Sequence, residues 1–270
     1  MFLQNAISKR INDNNPVKVA LIGAGKFGSM FLSQVPSTLG IEVLVIADLK
    51  PDNAVKACKN VGWSDDLINK TKFVDRGTDA IKLNEVEVVI EATGFPAAGI
   101  EHARQAFQNG KHIIMVNVEA DVLAGAALVK EANSAGVVYS MAYGDQPALT
   151  AEIVEWARAS GFNVTSAGKG TRYQPIYHKS SPDTVWDYYG LTHEEAKKAG
   201  MNPKMFNSFL DGTKSGLEMA AIANACDLDV PTNGLLFPPC GMDDLANVLK
   251  PIKAEEEIIT NHKMCIFETR

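Results

Sequence analysis

Val17-Lys18-Val19-Ala20-Leu21-Ile22-Gly23-Ala24-Gly25-Lys26-Phe27-Gly28 decides the fold. Val17–Ile22 is a short apolar run rich in β-branched residues, and Lys26–Gln34 after it has helical spacing, so a G-x-G-x-x-G turn joins a strand to a helix. The glycines alone are a weak signal, because such spacing arises easily by chance. Context strengthens them: a second β-rich run, Ile41–Ala47, is closed by Asp48, 20 residues beyond Gly28 (48 − 28). Each glycine then has its own physical role. Gly23 permits the tight turn, Gly25 removes the Cβ that would block a pyrophosphate, and Gly28 lets the helix approach the strand. Free amides and the helix dipole face the phosphates, with Lys26 and Phe27 completing the turn. Asp48 would accept hydrogen bonds from ribose hydroxyls and repel a 2′-phosphate, whereas Lys50 is placed to reach one. The expected cofactor is therefore NAD(P)H, with Asp48 favouring NAD.

Outward from this turn, apolar runs at 86–91, 112–116 and 137–140 read as further strands, with helical stretches such as 97–108 and 121–135 between them. The runs are nearly continuous, as in strands covered on both faces. The fold class is α/β, a Rossmann-type doubly wound parallel sheet. Residues 2–11 predict a short amphipathic helix packed on the outside of the sheet domain. The pattern changes at Gly144-Asp145-Gln146-Pro147, where Asp145 suits a turn or cap and Pro147 suits the first turn of a helix over 148–159. That helix has an apolar stripe through Ile153, Val154 and Trp156. A strand at 163–167, an irregular aromatic loop at 173–189 that looks like a substrate loop, a capping box at Thr192-His193-Glu194-Glu195 and a mostly helical 203–226 follow. The expected organisation is a dinucleotide-binding domain over 1–146, a second, smaller α+β substrate domain over 147–250, and a C-terminal tail over 251–270. Leu235-Leu236-Phe237-Pro238-Pro239 would form a subunit contact or cover the substrate site.

A formal charge of −6 with pI near 5.4 leaves no basic footprint for nucleic acid. Apolar runs fall far short of the roughly 20 residues of a membrane span, and the N-terminus lacks a signal-peptide core, so the expected location is cytoplasmic. Cys58, Cys226, Cys240 and Cys265 are widely spaced, which fits reduced thiols rather than a disulfide or zinc framework. No metal site is expected, although a magnesium held by carboxylates would leave no spacing signature. A small-molecule substrate and a homo-oligomer are expected as partners.

Three further segments bear on chemistry: Glu91-Ala92-Thr93-Gly94, Val116-Asn117-Val118-Glu119-Ala120-Asp121, and Gly168-Lys169-Gly170 with Asp211-Gly212-Thr213-Lys214 downstream. With the glycine turn, over residues about 15 to 250, they make the chain resemble the homoserine-dehydrogenase-like NAD(P)-binding oxidoreductases, in the branch of the 1-deoxyxylulose 5-phosphate reductoisomerase-like enzyme. The resemblance implies oxidation or reduction of a small hydroxy or keto compound, with a sugar phosphate and a coupled isomerisation among its options. It also implies a catalytic part without the usual C-terminal SAF-type domain. Homoserine dehydrogenases carry a lysine just after the fifth strand where this chain has Asn117-Val118-Glu119, which counts against homoserine. Homoserine dehydrogenase and a non-catalytic dinucleotide-sensing protein are the alternatives.

Residues just past the carboxyl ends of parallel strands approach a bound nicotinamide, which places Thr93, Gly94, Asn117 and Glu119 near it. Asn117 is equally suited to a turn, and Glu119 to the acidic first turn of a helix. Hydride delivery to a carbonyl needs a group that protonates or stabilises the alkoxide, and Lys169 between two glycines is the first candidate. At roughly 100° per residue, Asp211, Lys214, Ser215 and Glu218 share one helical face, followed by the all-apolar Met219-Ala220-Ala221-Ile222-Ala223. A charged stripe on a buried helix should line a cavity. The bland reading is an exposed salt-bridge ladder worth about 0.2 to 0.5 kcal/mol per pair. Lys169, Asp211, Lys214 and Glu218 are the expected catalytic residues.

Overall fold

The computed structural model describes residues 2–171, 173–230, 234, 238–249, 264–265 and 268–269. The chain divides into two compact units, Met1–Ala142 and Tyr143–Arg270. The first unit runs α1 (Phe2–Asn12), β1 (Val17–Ile22), α2 (Lys26–Gln34), β2 (Ile41–Ala47), α3 (Pro51–Asn60), α4 (Asp65–Lys70), β3 (Lys72–Val74), α5 (Gly77–Ile81), β4 (Val88–Glu91), α6 (Pro96–Gln108), β5 (His112–Met115), α7 (Val118–Ala135) and β6 (Tyr139–Met141). All pairings in its six-stranded sheet are parallel, in the order β3-β2-β1-β4-β5-β6. This is the doubly wound order whose reversal between β1 and β4 opens a crevice at the strands' carboxyl ends.

The sequence pattern explains the sheet. β1 is central and covered on both faces, so Ala20 and Leu21 are wholly buried and its run carries no polar alternation at the core end. One apolar cluster, with Ala20, Val45, Val89 and Ile113, packs on α6 and α7. A second, with Leu21, Ile46, Ile90 and Leu32, packs on the side of α2 and α3. Buried Trp63 donates its indole N–H to Leu32 O at 2.7 Å. α1 is tied to the sheet by the Arg10 guanidinium, which grips both Glu87 carboxylate oxygens at 2.9 and 2.7 Å.

The second unit runs α8 (Gln146–Ala159), β7 (Ser166–Ala167), β8 (Gly170–Thr171), α9 (Val185–Tyr189), α10 (His193–Lys198), α11 (Pro203–Leu210), α12 (Thr213–Cys226), α13 (Leu245–Val248), β9 (Met264–Cys265) and β10 (Glu268–Thr269). Its strands form two short parallel pairs, β7 with β9 and β8 with β10. α12 is its spine: Met219 and Ile222 are fully buried and pack with Val154, Cys226 and Leu228. A second cluster joins Val185, Trp186 and Ala196 to Phe206 and Leu210.

Three expectations differ from this unit. The strand over 163–167 shrinks to Ser166–Ala167, the two residues with a ladder partner among the described residues. Of the α8 stripe only Val154 is buried; Ile153 and Trp156 are 64% and 67% exposed. The 173–189 segment is partly core rather than an open loop. It contains the short turn Pro175–Lys179 and α9, and it buries Tyr177, Val185 and Trp186. Leu235, Leu236 and Phe237 and nearly all of the expected tail 251–270 lie outside the described residues.

Candidate functional site

The glycine turn has three different surroundings at its three glycines. Gly23 sits at φ +98°, and a Cβ there would lie 2.7 Å from Ala92 O. A Cβ on Gly28 would fall well inside contact distance of the Gly23 carbonyl, so only glycine lets α2 start this close to β1. A Cβ on Gly25 would meet nothing within 4 Å, and Gly25 faces a cavity of about 510 Å3. Gly25 is the N-cap of α2 and no side chain caps that terminus. Its amides are thus left for an anion, and the cradle is one that a side chain would fill: the residues present fit a dinucleotide pyrophosphate.

Asp48 lies on the same cavity wall, its Oδ2 accepting from the Ala24 amide at 3.1 Å and its Oδ1 from the Lys50 amide at 3.0 Å. These bonds fix the carboxylate beside the glycine turn. Gly23, Gly25, Asp48 and Thr93 are brought together on this cavity; Lys26, Phe27 and Gly28 form the first turn of α2 behind it. Gly94, at φ +68°, follows Thr93 in the loop before α6. Asn117 is held in a structural role as the N-cap of α7, with Oδ1 accepting from the Ala120 amide at 3.1 Å and Nδ2 donating to Phe95 O at 3.0 Å. Glu119 sits in the acidic first turn of α7, favoured there by the helix dipole.

Several cavity residues escaped the sequence reading. Arg76 ends the loop after β3, Gly77 and Thr78 open α5, and Glu101 and His102 project from α6. Behind them is Glu91, the last residue of β4 and fully buried. Its Oε1 accepts from Thr93 Oγ1 at 2.6 Å and lies 3.2 Å from His102 Nδ1, while its Oε2 has no hydrogen-bond partner among the described residues. The available signal was an acidic residue ending an otherwise apolar strand, between Ile90 and Ala92. Nearby, burial pushes the Asp121 carboxyl above its ordinary value against the opposing hydrogen bond from Tyr139 at 2.7 Å. Burial, with Asp121 and Glu91 close by, pushes the Tyr139 phenol far up.

In the second unit, Lys169 stands between β7 and β8 and its ammonium pairs with Glu218 Oε2. Lys214, one turn earlier on α12, lies 3.4 Å from Glu218 Oε1. Glu218 is 4% exposed, so its charge is almost fully withdrawn from water and both oxygens are matched by ammonium groups. Two cations share one carboxylate, leaving the cluster with a formal charge of +1. Asp211 does not join it. Gly212, at φ +90°, separates α11 from α12, and Asp211 is the C-cap of α11. Its Oδ1 accepts from the Thr213 amide at 2.9 Å and from the Thr213 hydroxyl, and its Oδ2 from Asn207 Nδ2 at 2.8 Å. Asp145 caps α8 by accepting from the Gln146 amide at 2.9 Å. No group of three or more potential metal-ligating side chains gathers among the described residues, and no described helix is long and apolar enough to cross a membrane.

A parallel sheet in this order, with an open glycine cradle and a carboxylate fixed beside it, defines the first unit as a dinucleotide-binding domain of the oxidoreductase type. Family models agree for both units. Residues 23–142 match the homoserine dehydrogenase NAD binding domain, and residues 144–268 match the catalytic domain described as Oxidoreductase DRL. Each unit thus carries its own match, an NAD-binding domain followed by an oxidoreductase catalytic domain, and in this the chain is similar to the homoserine-dehydrogenase-like NAD(P)-binding oxidoreductases.

No curated protein matches it in sequence. Among solved structures, a DOX-P reductoisomerase in complex with magnesium is similar at 17% identity and TM-score 0.55, over 79% of this chain and 58% of that one. A homoserine dehydrogenase from Thiobacillus denitrificans is similar at 18% identity and TM-score 0.53, over 79% of this chain and 50% of that one. A reductoisomerase from Zymomonas mobilis in complex with NADPH is similar at 16% identity and TM-score 0.52, over 79% and 59%. These likenesses show the fold. The chain spans about half the length of the solved structures it matches, 45% and 48% for two oxidoreductases.

Proposed function

We propose that the chain reduces or oxidises a small hydroxy or keto compound carrying an anionic group, with NAD preferred over NADP. The observation that carries this reading is the Lys169–Glu218–Lys214 cluster. Its excess positive charge, set on a buried carboxylate, suits both an anionic substrate group and the negative charge that develops on a carbonyl oxygen. A reduced nicotinamide, when bound, supplies the hydride. In the direction of reduction the carbonyl carbon accepts it, the C=O π pair moves to oxygen, and the Lys169 ammonium gives that oxygen a proton. Solvent then reprotonates Lys169. Glu218 keeps Lys169 oriented, and Lys214 holds the anionic group of the substrate. A sugar phosphate fits this description, and a rearrangement before reduction is compatible with it. Asp48, held by two backbone amides, supports the NAD preference, while Arg76 on the cavity wall, and Lys50 two residues after Asp48 in sequence, are cations a 2′-phosphate would draw on.

The test follows NADH and NADPH oxidation against a panel of small keto acids and sugar phosphates. Once a substrate is found, Lys169→Ala and Lys214→Ala should each lower kcat/KM by about a hundredfold or more, with NADH affinity within about twofold of the parent. Near-normal turnover in both variants refutes the assignment, and a higher kcat/KM with NADPH refutes the cofactor preference.

A further inference from the structure

Within the dinucleotide cavity, Gly23 and Gly25 face the place of the phosphates and Asp48 that of the ribose hydroxyls. The remaining wall is made by Leu49, whose exposed apolar side chain offers a face for a ring, and by the loop after β3 and helix α6. That wall is left for the nucleobase. His102 is its half-buried polar member: its side chain is 12% exposed, and a Cβ on Gly77 would strike its Nε2, so the glycine leaves open the space beside that nitrogen. On the other edge, Nδ1 meets the Glu91 carboxylate at 3.2 Å. With Nδ1 donating to this carboxylate, a neutral ring presents Nε2 as an acceptor. Among the described residues Nε2 takes no hydrogen bond.

We infer that His102, oriented by Glu91, is the base-discriminating residue of the cofactor site and accepts a hydrogen bond from the 6-amino group of adenine. The inference rests on the dinucleotide reading above and adds a specificity to it. Hypoxanthine carries a carbonyl at position 6, so the same imidazole would face a second acceptor and both would be left unpaired. A site built to pair one polar group rejects the analogue that lacks it far more strongly than an apolar pocket rejects a methylene. Glu91 acts through His102 and is a positioning residue. Its burial at the end of a core strand gives the imidazole a fixed partner rather than a mobile one.

The experiment is direct titration of the full chain with NADH and with its hypoxanthine analogue, near pH 8, without substrate. The parent protein is expected to bind NADH at least about tenfold tighter than the analogue. His102→Ala should bring the two dissociation constants to within about twofold of each other, chiefly by weakening NADH. Glu91→Gln should shrink the ratio while the ring remains. Equal binding by the parent, or tighter binding of the hypoxanthine dinucleotide, overturns the inference and leaves the dinucleotide reading standing. Binding of neither compound refutes the dinucleotide reading itself. A ratio that survives in His102→Ala and falls only in Glu101→Gln reassigns the role to the exposed neighbouring carboxylate and overturns the inference. The parent's ratio needs no variant, so misfolding of His102→Ala does not leave the question open.

Discussion

At Gly25 and Gly28 the same added methyl group has opposite consequences. At Gly28 it runs into the carbonyl of Gly23, a backbone atom that cannot swing aside, so Gly28→Ala must move α2 or the turn. Overpacking of this kind costs about 1 to 3 kcal/mol, which urea denaturation would register as a lower midpoint. Gly25 has φ −70°, a conformation open to alanine, and nothing within 4 Å of the new Cβ. Gly25→Ala is therefore expected to leave the urea midpoint nearly unchanged and to weaken NADH binding by about tenfold or more, because the methyl occupies the space of the phosphates. Unchanged NADH affinity in Gly25→Ala would remove the pyrophosphate from this cradle. The sequence alone assigned these different roles, since each follows from spacing relative to a strand and a helix. His102 and Glu91 were not legible in that way. They are 11 residues apart on different elements, and only the packing of α6 on β4 brings them to 3.2 Å.

Elements were legible to the extent that their own residues determine them. β1 and β2 begin and end where their nearly continuous apolar runs do, because both faces of each are covered toward the core end. β3 has three residues, none of them fully buried, and is a strand only through its parallel ladder with β2. The helical wheel drawn through Asp211 assumed one helix where Gly212 makes two; the face shared by Lys214 and Glu218 is real, and Asp211 caps the preceding helix. α8 has apolar spacing, but spacing does not say which flank is covered, and Ile153 and Trp156 remain exposed. α1 is the element whose attachment makes the clearest prediction. Burial pushes the Glu87 carboxyl up, but the Lys18 amide at 2.9 Å and the Arg10 guanidinium together outweigh it and hold it below its ordinary value. A carboxyl lowered on folding adds stability that is complete above its unfolded pKa, near 4.3, and is lost as pH falls through the folded value. Glu87→Gln should thus cost about 1 kcal/mol at neutral pH, a small figure because the pair is partly exposed. The cost should fade as the solution is acidified toward about pH 3, and a pH series of urea midpoints for parent and variant reads it out. A cost that is the same at both ends of the series would mean that the contact works by packing rather than by charge.

At the scale of the whole molecule, each apolar cluster among the described residues falls inside one unit: two sandwich the six-stranded sheet of Met1–Ala142, and two lie in Tyr143–Arg270. A segment of about 140 residues with cores on both faces of its sheet is within the size range of an independently folding domain. The cavity that fits the dinucleotide is lined by residues of the first unit from Ile22 to His102, and Glu91 behind it belongs to the same unit. The proposed chemistry, by contrast, belongs to Lys169, Lys214 and Glu218, all beyond the division. Residues 1–142 expressed alone are therefore expected to unfold in one cooperative urea transition and to bind NADH within about threefold of the full chain's affinity. NADH at a hundred times its dissociation constant should stabilise the fragment by about 2.7 kcal/mol, the value for a ligand that binds only the native state. The fragment should show no turnover on any substrate the full chain accepts. A fragment that folds but binds NADH more than about tenfold weaker would mean that dinucleotide affinity depends on residues after Ala142. The cofactor site would then have to be redrawn to include them, and the division of labour between the two units would fail with it.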